Sequence, residues 1–165
     1  MTPRVEFVAA SPRWRAALPA RSLARETIAV AARESGVALA PGAELCIHLA
    51  DDERLRALNA RWRGLDQPTN VLSFPAVAPA EIAEARLLGD VVLAFETLAR
   101  EAAEDGKPLA DHYRHLVAHG FLHLIGFDHD NDADAERMEA IETRILARLG
   151  VADPYRADEA ADARP

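Results

Sequence analysis

Three histidines within an 11-residue run are spaced to suit a metal ion. They are His119, His123 and His129, in a run that reads H-x-x-x-H-x-x-G-x-x-H. If residues 113–125 form a helix, His119 and His123 lie one turn apart and project from the same face. Gly126 tolerates the left-handed backbone that would end this helix and bring His129 back to the ion. The spacing therefore predicts a three-histidine metal site.

Three protein ligands leave one tetrahedral position free, which is typical of a catalytic zinc rather than a structural one. Zinc peptidases share this spacing, with a Glu after the first His as general base. This chain has Gly120 there. We expect the same metal geometry with a different chemistry, since phosphodiester cleavage depends more on charge stabilisation by the metal than on an adjacent carboxylate. Three imidazoles also accept nickel, cobalt or copper.

The other histidines of the same helical stripe are not expected to be ligands. His115 and His123 are separated by about 12 Å of helical rise, too far for one ion with bonds of about 2.1 Å. We expect His115 to pack in a helix interface rather than to hydrogen-bond near the site. His112 and His48 are expected to have no functional role.

The composition favours one domain. A chain of 165 residues that is 50% hydrophobic can bury one core but not two. We expect a single domain over residues 1–152 and a disordered acidic tail over residues 153–165. With no apolar run of about 18 residues and no secretion signal, the expected location is the cytoplasm. The single cysteine, Cys46, excludes an internal disulfide.

The net charge of −8 is unevenly distributed. Residues 1–75 carry ten Arg against eight acidic residues, and residues 76–165 carry nine basic against nineteen acidic residues. Broad, non-specific binding of duplex DNA is therefore not expected. Four arginines of one helix could still form a local basic patch, or they could simply lie on a solvent-exposed helix face. The arginines concerned are Arg54, Arg56, Arg61 and Arg63.

Hydrophobic periodicity predicts an α+β fold, with one mixed sheet of about four strands covered by helices and the metal-bearing helix beneath it. The predicted strands are 5–8, 44–49, 68–75 and 87–93, the last of them central. The predicted helices are 19–35, 51–62, 96–105, 109–125 and 132–149, with N-caps at Asp51 and Asp132. Residues 76–86 are expected to form a surface loop. The residues expected on the buried side of the second helix are Leu55, Leu58 and Trp62.

Two stretches of the chain resemble one family, the YbeY endoribonucleases, also called rRNA maturation factors. Residues 58–75, LNARWRGLDQPTNVLSFP, are similar to the family segment L-N-x-x-[aromatic]-R-x-x-D-x-P-T-[DN]-V-L-S-F-P. The histidine run is similar to the family signature H-G-x-L-H-L-x-G-[aromatic]-D-H, and residues 88–90 match a third, shorter element. The similarity spans roughly residues 45–149.

The resemblance implies a bacterial, zinc-dependent endoribonuclease specific for single strands, acting in 16S rRNA 3′-end maturation and ribosome quality control. It implies zinc on His119, His123 and His129, and it matches the family's essential arginine to Arg63. The implied partners are single-stranded RNA, the 16S rRNA precursor, and the ribosome or its small-subunit proteins, with neither a membrane nor DNA expected. The guanidinium of Arg63 could hold the scissile phosphate, or it could cap the end of its helix.

Two other functions remain open. The peptidase-like spacing allows a metalloprotease, although Gly120 lowers this expectation. A ribosome-assembly binding factor with a structural zinc is the second alternative, and a fourth protein ligand would favour it. Whether water or the 2′-hydroxyl is the nucleophile is left open. Thr69, Asn70 and Ser73 could line the same cleft, or could serve only turn and strand-edge hydrogen bonding.

Overall fold

A four-stranded mixed sheet organises the computed structural model, which describes residues 2–64 and 69–155. The strands are β1 Arg4–Ala9, β2 Glu44–Ala50, β3 Val71–Pro75 and β4 Leu87–Ala94, in the order β1-β2-β4-β3. The first three in this order are parallel, and β3 is an antiparallel edge strand. The predicted α+β fold with about four strands is confirmed, and β4 is internal as predicted.

The alternation of side chains along β2 explains how the two faces of the sheet differ. Leu45, Ile47 and Leu49 are buried in the main core, whereas Cys46 and His48 on the opposite face are partly exposed. Most of the helical side chains of the main core come from α2 Ala20–Ser35, α5 Leu109–Leu124 and α6 Asp132–Arg148. The opposite face is covered in part by α3 Asp52–Arg63, and α4 Phe95–Glu104 packs beside α3 and α5.

The central helix of the fold is α5. It packs on β3 and β4 and also contacts α2, α4 and α6. Its apolar side chains Tyr113, Val117 and Phe121 are fully buried. Because α5 is anchored on every side, side chains that project from its last turns are held on a rigid support.

Helix α5 approaches the sheet closely at Gly120. A Cβ added to this residue would lie 2.7 Å from Cγ1 of Val91 and 3.2 Å from Oγ of Ser73. The Ser73 hydroxyl also donates a hydrogen bond of 2.9 Å to the Gly120 carbonyl. The residue that stands where zinc peptidases have their glutamate therefore faces the sheet, at a point where no side chain fits without displacing its neighbours.

We expect Gly120→Ala to lower the free energy of unfolding by about 1–3 kcal/mol, because the added methyl group overpacks the contact with Val91. At an open helical position the same change stabilises by about 1 kcal/mol, so the sign of the effect distinguishes crowding from helix propensity. Urea unfolding of both proteins measures it. A variant at least as stable as the wild type would contradict the close packing.

Two local expectations were wrong and one short helix was missed, in each case because of packing that the local sequence pattern does not specify. Residues 76–86 contain a 3-10 helix, Pro79–Glu84, in which Ile82 is only 2% exposed. The two buried residues of this stretch, Ile82 and Ala85, are too few to create a recognisable periodicity. The short helix α1, Arg13–Ala17, was not predicted, although its Trp14 is buried and donates to the Ala50 carbonyl at 2.8 Å. Trp62 is 60% exposed, because the small cluster under α3 extends only to Leu55 and Leu58.

The predicted helix ends are confirmed to within a residue. Asp51 caps α3 by accepting a hydrogen bond from the Arg54 N–H at 2.9 Å. The cap of α6 is Asn131, not Asp132, and its side chain accepts from the Asp134 N–H. No helix among the described residues is long and apolar enough to cross a membrane.

Parts of two predicted segments lie outside the described residues. They are residue 68 of the predicted third strand and residues 156–165 of the predicted tail. Tyr155, which lies within the predicted tail, donates a hydrogen bond from its hydroxyl group to Glu142 of α6. The boundary at residue 152 stays a prediction.

Candidate metal centre

The end of α5 and the turn that follows it position three imidazoles. His119 and His123 lie in the last turns of α5, and Gly126 adopts the predicted positive φ, at 102°. The Phe127 N–H donates to the Leu122 carbonyl at 3.0 Å, which closes the helix end. The chain then turns back, so that His129 faces the other two rings.

The three rings are close enough to share one ion. One ligand nitrogen from each of His119, His123 and His129 lies within 4.8 Å of the other two. The Nε2 atoms of His119 and His123 are 3.1 Å apart, and tetrahedral zinc with bonds of about 2.0–2.1 Å places its ligand nitrogens about 3.3 Å apart. Within residues 2–64 and 69–155, no fourth His, Cys, Asp or Glu joins the group.

Hydrogen bonds at Nδ1 set the tautomers of two rings. The Nδ1 atom of His119 is 2.5 Å from Oε1 of Glu142, and that of His123 is 3.0 Å from the Phe127 carbonyl oxygen. Both partners only accept, so each Nδ1 carries the hydrogen and donates it. The lone pairs of the neutral rings are then on the two Nε2 atoms, which face each other. A cation between them would replace repulsion by coordination, so these residues fit a metal ion.

The electrostatics of His123 favour the same state. Burial first, and then the neighbouring His119 and His129, lower the pKa of His123 to about 4. The ring is therefore neutral at pH 7, and neutral imidazole is the form that binds metal ions.

Sequence reasoning missed Glu142, a buried carboxylate behind the rings. Its side chain is 1% exposed, and it accepts hydrogen bonds from His119, His115 and the Tyr155 hydroxyl. Burial is the largest single influence and by itself raises its pKa. The hydrogen bonds from His115 and His119 and the electrostatic attraction of the same two rings together outweigh burial and lower the pKa to about 2. An ionised carboxylate that fixes a histidine in this way is the usual support of a metal ligand.

The surroundings of Glu142 bear on two features of the sequence, the apolar stripe of α6 and His115. Glu142 lies in the apolar stripe of α6 with Met138 and Ile145. A single acidic residue in such a stripe is the sequence signal that could have indicated a buried, functional carboxylate. His115 does not join the triad, as predicted, but the expectation that it only packs in an interface was wrong. It is 3.0 Å from Glu142 and so helps to hold the carboxylate that orients His119.

We expect Glu142→Gln to weaken metal binding by about 10–100-fold, because the neutral amide orients the His119 ring less firmly and stabilises a bound cation less. Competition with a chromophoric chelator measures the affinity, and near-UV circular dichroism checks the fold. Glu139→Gln, at an exposed position of the same helix, is the matched control and should keep wild-type affinity. Wild-type affinity in a folded Glu142→Gln protein would exclude this positioning role.

The three imidazoles line a cleft with a volume of about 720 Å3. Thr69, Asn70 and Ser73 line it, as anticipated, and Trp62 and Phe74 form part of the same wall. Structural hydrogen bonds account for two of these polar residues, since Ser73 donates to Gly120 and Asn70 donates to Glu101 at 3.0 Å. The residues flanking His129 at the rim are Asp128 and Asp130. Asp128 accepts from the His129 N–H at 2.7 Å, a turn contact.

The expected catalytic arginine, Arg63, is the last residue of α3, directly after Trp62 at the cleft. Its side chain lies outside the described part of the structure, so its role stays a prediction. Of the other arginines of the expected basic patch, Arg54, Arg56 and Arg61 are exposed on the same helix.

A second group of metal-ligating side chains lies on the opposite face of the sheet. Ligand atoms of Cys46, His48 and Asp90 lie within 4.8 Å of one another, and His48 Nε2 is 2.9 Å from an Asp90 oxygen. Cys46 and Asp90 are paired across β2 and β4. None of these residues lines the cleft. His48, expected to have no role, thus at least hydrogen-bonds to Asp90, and His112 likewise contacts Glu101 at 3.0 Å.

Comparison with known proteins identifies the family. A family model described as "Endoribonuclease YbeY" matches residues 14–150. The Methylocella silvestris protein of that name is 50% identical over 155 residues, covering 94% of this chain and 87% of that protein. The Sinorhizobium medicae protein of that name is 58% identical over 118 residues, 70% of each. A solution structure from Thermotoga maritima, 19% identical, has a TM-score of 0.55 over 98% of this chain and 97% of that one, which supports the fold. The chain belongs to the YbeY family of endoribonucleases.

Proposed function

We propose that this endoribonuclease cuts single-stranded RNA with one zinc ion held by His119, His123 and His129, and with Arg63 at the scissile phosphate. The observation that supports the proposal is the convergence of three imidazoles on one point in an open cleft. The family resemblance supports 16S rRNA 3′-end maturation and ribosome quality control as its task. With this task, the proposed location is the cytoplasm, and the proposed partners are the 16S rRNA precursor and the ribosome or its small-subunit proteins.

Each residue has a task that follows from its chemistry. When bound, zinc supplies a Lewis-acid charge and lowers the pKa of water to about 7. Glu142 and the Phe127 carbonyl hold the rings of His119 and His123 with their Nε2 atoms toward the shared point. Arg63 presents a planar guanidinium that suits two phosphate oxygens and offsets the charge that develops on them. Gly120 supplies no general base, so we expect a modest rate of cleavage.

Two observations weigh against the alternative functions. A metalloprotease needs a general base, and the Gly120 position that would carry it is pressed against Val91. A structural zinc has four protein ligands, and the group of His119, His123 and His129 acquires no fourth one in the part of the chain that the structure describes.

The test is an assay of metal-analysed protein on four substrates, namely a single-stranded RNA oligonucleotide, its duplex, the DNA of the same sequence, and casein. We expect cleavage of the single-stranded RNA alone, loss of cleavage with a chelator, and recovery with added zinc. Cleavage of casein would favour the protease, and inactivity of zinc-loaded protein would favour the binding factor. Analysis of the product ends separates water from the 2′-hydroxyl as nucleophile.

A further inference from the structure

Trp62 is the only exposed side chain among the Phe, Tyr and Trp residues of 2–64 and 69–155. It exposes 60% of its surface, whereas Trp14, the other tryptophan, exposes 1%. Isolated exposed apolar residues are common on proteins, so exposure alone carries no function. What distinguishes Trp62 is its place, in the wall of the cleft that also contains His119 and His123.

Two neighbours hold the indole of Trp62 in this place. The ring of Phe74 meets it edge to face, with centroids 6.3 Å apart and an interplanar angle of 63°. The Arg61 guanidinium lies over the indole, 5.2 Å from the ring centroid. With 60% of its surface exposed despite these two contacts, the indole keeps ring surface available for a planar ligand.

We propose that Trp62 is a stacking platform for an unpaired nucleobase of the RNA substrate, beside the metal centre. Bases stack on aromatic side chains only where their faces are accessible, and within a duplex both faces of a base are covered by its neighbours. Trp62 would thus select single strands over duplexes. It would tolerate any sequence, because every base has a π face. The assignment rests on the proposed function, since it takes the cleft to be the RNA site.

The first test measures binding without cleavage. A short fluorescein-labelled 2′-O-methyl RNA is titrated with the full chain, and its anisotropy gives the affinity of the wild type and of every variant. In the wild type, the quenching of Trp fluorescence also reports on Trp62, because Trp14 is in the core. We expect Trp62→Ala and Trp62→Leu to weaken binding about 10-fold and Trp62→Phe to weaken it only about 2-fold, as for loss or retention of a stacking ring. An abasic oligonucleotide with the same phosphates should bind all four proteins equally. Absence of quenching, or wild-type binding by Trp62→Ala, would overturn the proposal.

The second test separates this proposal from the proposed function. Cleavage of single-stranded RNA, and the affinities for single-stranded and duplex 2′-O-methyl RNA, are compared for wild type and Trp62→Ala, and the preference in affinity for single strands should fall about 10-fold in the variant. If RNA is cleaved and the preference is unchanged, the stacking platform is wrong and the nuclease function stands. If RNA is not cleaved but binding still depends on Trp62, the nuclease function is wrong and the platform stands.

Discussion

His123→Ala protein is expected to retain no tightly bound metal and to cleave single-stranded RNA roughly 1,000-fold more slowly than the wild type, because the ion supplies most of the charge stabilisation. His123 is the middle ring of the three. Its centroid lies 4.6 Å from that of His119 and 4.9 Å from that of His129, whereas the outer two are 5.8 Å apart. Its loss leaves the two most distant ligands, which cannot hold an ion firmly by themselves.

The measurement combines elemental analysis of the purified protein with initial rates of cleavage. His48→Ala is the matched control, because it removes an imidazole from the opposite face of the sheet and should leave both the cleavage rate and the ion of the triad unchanged. Cys46→Ser identifies any further ion bound beside His48, since only such an ion would be lost from that variant. A His123→Ala protein that kept both zinc and activity would exclude the three-histidine site.

Arg63→Ala is expected to lower kcat by about 100–1,000-fold with the metal content unchanged, because one charged donor to the transition state is lost. Arg63→Lys should recover only part of the rate, since an ammonium group cannot bridge two phosphate oxygens as a guanidinium does. These two variants separate a requirement for charge from a requirement for geometry.

Steady-state kinetics of Arg63→Ala measure the effect. The matched control is Arg54→Ala, which removes an exposed arginine of the same helix. The control should show a small rise in KM that disappears at high salt, because exposed charges are screened. If Arg63→Ala keeps the wild-type rate but unfolds at lower urea concentration, then Arg63 is a helix-capping residue and the phosphate role is wrong.

Local chemistry made much of the fold predictable. The alternation of Leu45, Ile47 and Leu49 marks β2 without reference to the rest of the chain, and Asp51 caps α3 through a contact three residues away. The proximity of His119 and His123 follows from helical spacing, and Gly126 adopts the positive φ that its residue type allows. Each of these features depends on residues that are close in sequence, so the spacing of residue types is sufficient to predict it.

The features that escaped prediction depend on contacts between distant parts of the chain. Glu142 supports His119 from a different helix, and only tertiary structure brings the two together. The exposure of Trp62 depends on how far the cluster under α3 extends, which helical periodicity does not specify. His115 was misjudged for the same reason, since its partner is also Glu142.

The tight contact at Gly120 has a consequence for the evolution of this scaffold. A single exchange of this glycine for glutamate would not yield a peptidase, because Val91 and Ser73 occupy the space that the new side chain needs. The strands would first have to be remodelled with smaller residues, and each such intermediate would lose core packing before it gained a new activity. A designer seeking amide hydrolysis on this scaffold should therefore introduce the base from the rim of the cleft.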